Sequence, residues 1–411
     1  MERIPMRDES VTELEQTRLT LRAAGDRLGE AVTLNKLGFA HKEIGNTRQS
    51  IGCFEQALEI VRELKERNGE AAILESLADA HGEAGDHARA LSFFEESSRL
   101  FRVIQDHEGA FRVLIKSASL EASVGNQAMA ISLFEKALPL VRAAGHDAYE
   151  VFILSNIAEL LRAAGDKAVA ASISEEALRV ARRAGDRMAE LSVLNNLGII
   201  YREVGDLPRA LSLFEQALHL RRALGDRAGE ASTLHSTALA YLLMSEPARA
   251  LACFEQALAL HRALGNRADE AITLIDRSAA HLGLDNPAAA IADLEQALPT
   301  LRAAGNTPAE VGALKMMVTI CVASQDRNRA LPCFERLLQI FRDAGDSTAE
   351  RATLAEMANV QHTLGDRVGT TVSHEPTMPI RPSPGDTAVR SEPPCPCGSG
   401  APFLRCHGLD A

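Results

Sequence analysis

The chain has 411 residues and a net charge of −12, which counts against a nucleic-acid surface because phosphate binding needs clustered positive charge. It has no apolar run of 18 residues, so nothing is predicted to span a membrane. Hydrophobic residues make up 46% of the chain but aromatics only 4%, with no Trp; a core of Ala and Leu is expected, which suits close-packed helices.

The start, Met1-Glu2-Arg3-Ile4-Pro5-Met6-Arg7-Asp8, is followed by no apolar run and does not read as a secretory signal. Residues 8–24 are predicted as a helix ending at Gly25. From there Gly recurs on a 20-residue beat, at Gly45, Gly85, Gly125, Gly145, Gly165, Gly185, Gly205, Gly225, Gly265, Gly305, Gly345 and Gly365. Asp or Asn usually follows, as at Asp26, Asn46, Asp86 and Asp206. Gly accepts the left-handed conformation that ends a helix, and Asp or Asn caps the next one. Pro208, Pro247, Pro287 and Pro308 fall just inside helices, where a missing N–H costs little. Helices of about 18 residues joined by two- or three-residue turns are the expectation.

Two helix types alternate on a 40-residue period. The first carries Leu34, Leu74, Leu114, Leu154, Leu194, Leu234, Leu274, Leu314 and Leu354, then a Leu and small-residue pair such as Leu37-Gly38 or Leu197-Gly198. The second carries a small residue, Phe four later and Ala three after that, as in Ala210/Phe214/Ala217 and Ala250/Phe254/Ala257. These spacings place the residues on one helix face. Residues 8–24 match the second type without a first-type partner before them, and 347–364 match the first type. The expected layout is a capping helix over 1–25 and an array over 26–366, with about eight full repeats and a terminal helix. Alternatively, the N-terminal half repeat is a remnant of a longer ancestor.

Residues 194–217, Leu194…Leu197-Gly198…Tyr201…Ala210…Phe214…Ala217, resemble the tetratricopeptide repeat position for position, with Leu for the usual Trp. The period of 40 rather than 34 resembles the long-helix subclass of kinesin light chains. The resemblance implies an all-α, right-handed superhelical solenoid of antiparallel helix pairs. Its first-type helices would line a concave groove that holds a peptide or helix from a protein partner. Asn35, Lys42, Arg162, Asn195 and Arg202 map to that groove, with Phe39, Ser155, Glu159 and Ile199. Further on the mapped positions turn apolar: Leu239, Leu242, Ile275, Ala279, Leu282 and Val322. An amphipathic helix or extended peptide with an acidic end would suit that change. The bland reading is that long helices bury these residues against one another. Arg277 breaks the apolar pattern, as an ion pair at the groove edge or a local flaw.

Arg recurs in the last turn of each second-type helix, from Arg22 and Arg62 to Arg342, and Glu recurs eight residues on, from Glu30 and Glu70 to Glu350; Ala110 is the one gap. Both suit the helix dipoles, and across a tight turn they could pair. This reads as an exposed structural clamp worth under about 1 kcal/mol.

Residues 367–392 are read as a disordered Pro-rich linker, with Pro376, Pro379, Pro382 and Pro384 among them. Residues 393–411 contain Cys395-Pro-Cys397-Gly-Ser-Gly and Cys406-His407-Gly408. Three thiolates and one imidazole are the donor set of a closed tetrahedral zinc site. This segment resembles the SEC-C motif of the bacterial secretion ATPase, where it contacts partner proteins. Zn2+ held by Cys395, Cys397, Cys406 and His407 is therefore expected to be structural. The remaining Cys53, Cys253, Cys321 and Cys333 sit on predicted helices and read as packing, and the protein as reduced and cytoplasmic. His41, His81 and His281 share the family's Tyr position and read as core-edge residues making one hydrogen bond.

No clustered carboxylates, nucleophile motif or cofactor loop points to an enzyme. A non-catalytic adaptor with protein or peptide partners, and no nucleic acid or membrane, is the first reading. A detached regulatory sensor module of a bacterial transcriptional or signalling protein is the second.

Overall fold

The computed structural model describes residues 8–365, which form eighteen α-helices and no strand. Residues 367–392 and 393–411, expected from sequence to be a linker and a zinc-binding tail, lie outside the described residues. The chain divides into two compact units at Val193 and Leu194.

The first unit opens with α1 (Asp8–Ala23). Helix pairs follow: α2 (Arg27–Glu43) with α3 (Thr47–Glu63), α4 (Arg67–Glu83) with α5 (His87–Val103), α6 (His107–Ser123) with α7 (Gln127–Ala144), and α8 (Asp147–Ala164) with α9 (Lys167–Ala184). The division falls within α10 (Arg187–Val204). The second unit continues with α11 (Leu207–Leu224), then α12 (Arg227–Leu243) with α13 (Pro247–Leu264), α14 (Arg267–Gly283) with α15 (Pro287–Ala303), and α16 (Thr307–Ala323) with α17 (Arg327–Asp343). It ends on α18 (Ser347–Gly365). Even numbers are first-type helices and odd numbers second-type. Helices of this length are marginal alone, so they persist by packing.

The repeated residues form the core. Leu34, Leu74, Leu154, Leu194, Leu234, Leu274 and Leu314 are buried, as are Phe54, Phe94, Phe134, Phe214, Phe254 and Phe334. The small residue of each first-type helix lets Phe in. A Cβ on Gly38 would stand 2.3 Å from Phe54, and one on Gly198 2.5 Å from Phe214. Leu354 departs from the pattern and is 42% exposed; no second-type helix follows α18 among the described residues.

The turns carry the 20-residue beat. Gly25, Gly45, Gly85 and their equivalents hold positive φ, between 64° and 96°. Where the beat lacks Gly the backbone keeps the same conformation: Lys65, Gln105, Ser245, Asp285 and Gln325 have φ of 56–60°. Asp26, Asp106 and Asp226 cap the next helix by accepting from the N–H three residues on, at 2.8, 2.9 and 2.9 Å. Asn46, Asn126, Asp166 and Asn266 make no side-chain cap bond; their main-chain carbonyls alone start the helix, as Asn46 O does for Ser50 N at 3.0 Å.

The Arg–Glu clamp forms across the turns, at 2.7 Å for Arg62–Glu70, Arg142–Glu150 and Arg302–Glu310. The expectation of a fully exposed pair is corrected: Glu30, Glu150 and Glu310 are buried. Each takes a second Arg. Arg27 donates to Glu30 at 2.9 Å, Arg183 to Glu150 at 3.3 Å and Arg336 to Glu310 at 2.7 Å. Arg102, facing Ala110, instead donates to the Ser98 carbonyl at 3.3 Å.

Candidate partner-binding face

Side chains at fixed register on neighbouring first-type helices meet on one face of the first unit. Lys42 of α2 reaches Glu83 of α4 at 2.9 Å. Arg112 of α6 makes a two-pronged bond to Glu75 of α4, at 3.0 and 2.9 Å. Lys116 of α6 reaches Glu75 at 2.8 Å and Asp79 at 2.6 Å. Burial alone would push the Glu75 carboxyl up, but the hydrogen bonds from Arg112 and Lys116 outweigh it and hold it below its ordinary value. Burial pushes the Asp79 carboxyl up in spite of Lys116. Glu75 and Asp79 hold the register of Asn35 and Phe39, while Arg112 and Lys116 stand three residues earlier in the register on the next first-type helix; of these side chains only Lys42 is among the groove residues expected from sequence.

The sequence-derived groove residues divide by chemistry. Lys42 and Arg162 are not free cations. Arg162 donates to Glu159 of its own helix at 2.9 and 2.6 Å, and Lys42 is paired with Glu83. Arg202 also has partners. Asn35 and Asn195, at the same register one in each unit, have side-chain oxygens that are buried and accept no hydrogen bond. Such an acceptor costs about 1–3 kcal/mol where it stays unmet.

In the second unit Leu239 and Leu242 of α12 are half-buried against Ala238, Ala250, Phe254 and Ala280. Ile275 and Leu282 of α14 are half-buried against the core that includes Leu274 and Leu294. They form a surface with apolar backing. His235 of α12 bridges to α14, with Nε2 3.0 Å from Asp276 and Nδ1 3.1 Å from Thr273.

Arg277 is an ion pair and not a flaw, with its partner on the second-type helix α15. It donates to Asp293 of α15 through Nε at 2.8 Å and through a second guanidinium nitrogen. Asp293 is buried and occupies the register of Cys53, Cys253 and Cys333. Two apolar positions that face each other in other repeats have become one charge pair. His281 also lies 3.6 Å from Asp293.

The four thiols stand in packing positions. Cys321 and Cys333 are buried, Cys53 and Cys253 half-buried, and burial pushes the first two up to about 11. His81 lies 3.7 Å from Asp86 and packs on Phe93, whereas His41 Nδ1 is buried without a partner.

A cleft of about 420 Å³ opens between α7, α8 and α9 and is lined by Arg142, Asp147, Glu150, Glu176, Arg179 and Arg183. Its carboxylates already hold Arg142 and Arg183, at 2.5–3.3 Å. That leaves it no more than clamp geometry enlarged by one Arg.

Six overlapping windows match the tetratricopeptide repeat family: residues 29–102, 69–143, 109–183, 149–223, 189–263 and 229–303. They cover more than half of the chain, and the chain belongs to that family. Several solved structures are similar. One is the Rap protein complexed with Competence and Sporulation Factor, 12% identical over 82% of this chain and 99% of that one, with a TM-score of 0.47. Another is a signal-transduction ATPase with a tetratricopeptide repeat sensor from Pyrococcus horikoshii, 16% identical over 88% of this chain and 54% of that one, TM-score 0.48. A third is the set of nearly identical repeats of a kinesin light chain candidate from Podosopora anserina, 16% identical over 50% and 97%, TM-score 0.41. No curated protein matched the chain. Among the described residues no helix is long and apolar enough to cross a membrane. Cys395, Cys397, Cys406 and His407 lie outside the described residues.

Proposed function

We propose that the chain is a non-catalytic scaffold that holds a peptide or helix of a protein partner on the face of its first-type helices. The observation that carries this reading is the pair Asn35 and Asn195. A fold has no use for a buried acceptor left unmet twice at one register, whereas both residues are only half-buried, so a turn of the amide about its Cβ–Cγ bond offers that oxygen to a ligand N–H.

The test is to select peptides on the full chain from a displayed random library and measure their affinity for Asn35→Leu and Asn195→Leu variants. Each substitution removes an unmet acceptor and keeps the γ-branched shape of the side chain. We expect folding stability to rise by about 1 kcal/mol while peptide affinity falls at least tenfold. Affinity unchanged in both variants would contradict the reading.

The tail is proposed as a second contact module, with Zn2+ on Cys395, Cys397, Cys406 and His407. Three thiolates and an imidazole fit a closed tetrahedral ion that supplies folding energy and not catalysis. Metal analysis should find one zinc per chain, lost in a Cys395→Ser/Cys397→Ser variant; zinc retained there would refute the assignment.

A further inference from the structure

The face of the first unit is not uniform, and its pattern constrains what can lie on it. On α2 three apolar side chains stand out: Leu28 is 49% exposed, Val32 50% and Phe39 41%. Asn35 lies between them on the same helix face, half-buried, with its side-chain oxygen buried and unmet. On α8, Phe152 holds the register of Val32 and is 45% exposed. Between them, α4 and α6 present Glu75, Asp79, Arg112 and Lys116, two of each sign, and every one is paired.

Charged ligands gain little in that centre. An acidic segment finds Arg112 and Lys116 already neutralised and Glu75 and Asp79 beside them. A basic segment meets the reverse. Breaking either pair to make a new one exchanges like for like. A polar, uncharged backbone can cross the centre without that exchange, while apolar side chains need a site at each end.

We infer that this face takes an extended, uncharged peptide with two apolar residues, one on the Val32/Phe39 patch of α2 and one on Phe152 of α8. A backbone N–H near the first of them meets Asn35 once its amide turns outward. The inference rests on the partner-binding reading above and names its ligand for this unit. From α2 to α8 is three steps between neighbouring first-type helices. At about 9 Å a step and about 3.3 Å per extended residue, the two apolar residues stand about eight or nine positions apart. This differs from the acidic-ended ligand expected from sequence, because the cations in that expectation are spoken for within the chain.

The experiment uses the full chain and labelled synthetic peptides of Ser, Thr, Asn and Gln carrying two leucines, with their separation stepped from three to fourteen residues. A second set carries Glu between the leucines or at one end. Fluorescence anisotropy gives the affinities. Binding should peak near a separation of eight or nine and fall at least fivefold when Glu stands between the leucines. It should fall at least tenfold in Val32→Asp and in Phe152→Ser. Val32 is half in solvent, so its variant keeps the fold, which far-UV circular dichroism checks. Affinity independent of separation, or higher for the acidic set, overturns the inference while leaving the partner-binding face intact. Binding unchanged in Val32→Asp also overturns it. If no peptide of either set binds, but library-selected peptides bind through Asn35 and Asn195, the inference falls alone. If neither kind binds, both readings fall.

Discussion

Lys65, Gln105, Ser245, Asp285 and Gln325 hold φ of 56–60°, a region where a side chain costs about 1–2 kcal/mol. Their neighbours in register are Gly. Gln105→Gly and Gln325→Gly should each therefore stabilise the protein, by about 0.5–1 kcal/mol once the greater freedom of unfolded Gly is counted. A higher urea midpoint at unchanged slope is the expected reading; a lower one would mean that the side chain contributes contacts that outweigh the strain. Glu310 is the other residue with a sharp expectation. Its hydrogen bond from Arg336 outweighs burial and, with Arg302, holds its carboxyl below the ordinary value of 4.5. A carboxylate lowered by folding contributes stability that is complete above its unfolded value and lost as pH falls through its folded value. Glu310→Gln should cost about 2 kcal/mol at neutral pH, discounted for the partly exposed arginines. The gap from the parent protein should close as pH falls below 4.5, which urea titrations at two pH values would measure. A gap that persists in acid would assign the loss to packing.

At the scale of the helix, the repeat spells out its own packing. Phe54 closes on Gly38, where a Cβ would stand 2.3 Å from its ring, and the same pairing recurs at Phe214 and Gly198; the spacings marked both positions, but not that they meet. What the spacing could not reveal are bonds between elements that depart from the repeat. Arg277 and Asp293 are sixteen residues apart, and each looks anomalous until they are placed together. Arg112 and Glu75 are thirty-seven apart, across two helices, and either could have faced water. Burial of Glu30, Glu150 and Glu310 was hidden for a related reason: the second Arg that answers each one does not recur at a fixed offset. The Arg277 pair gives a direct test. Asp293→Ala should cost about 3 kcal/mol by leaving a guanidinium without its carboxylate in a mostly buried site. The double variant Arg277→Leu/Asp293→Leu restores the apolar pattern of the other repeats and should recover most of that loss. Equal destabilisation by the single and double variants would mean that the pair is not what holds α14 to α15.

Over the whole molecule, the helical architecture was legible because it repeats; the ligand was not, because ligand residues vary from repeat to repeat. Asn35 and Asn195 were named from their register alone. Only the structure adds that their oxygens are buried and unmet, and that Lys42 and Arg162 are already paired. The tail proposed to hold zinc is separated in sequence from α18 by a Pro-rich stretch, so adding a chelator should leave far-UV circular dichroism and the main melting transition unchanged; a large loss of helicity would mean that the tail supports the repeats. The partner-binding face itself is tested most directly by site-specific photocrosslinking to a library-selected peptide. A benzophenone side chain at Lys36 or Ala72, on the first-type helices, should crosslink the peptide. The same group at Glu55 or Glu215, exposed on second-type helices, should not. Crosslinks from Glu55 and Glu215 with none from Lys36 and Ala72 would place the partner on the other helices and contradict the account.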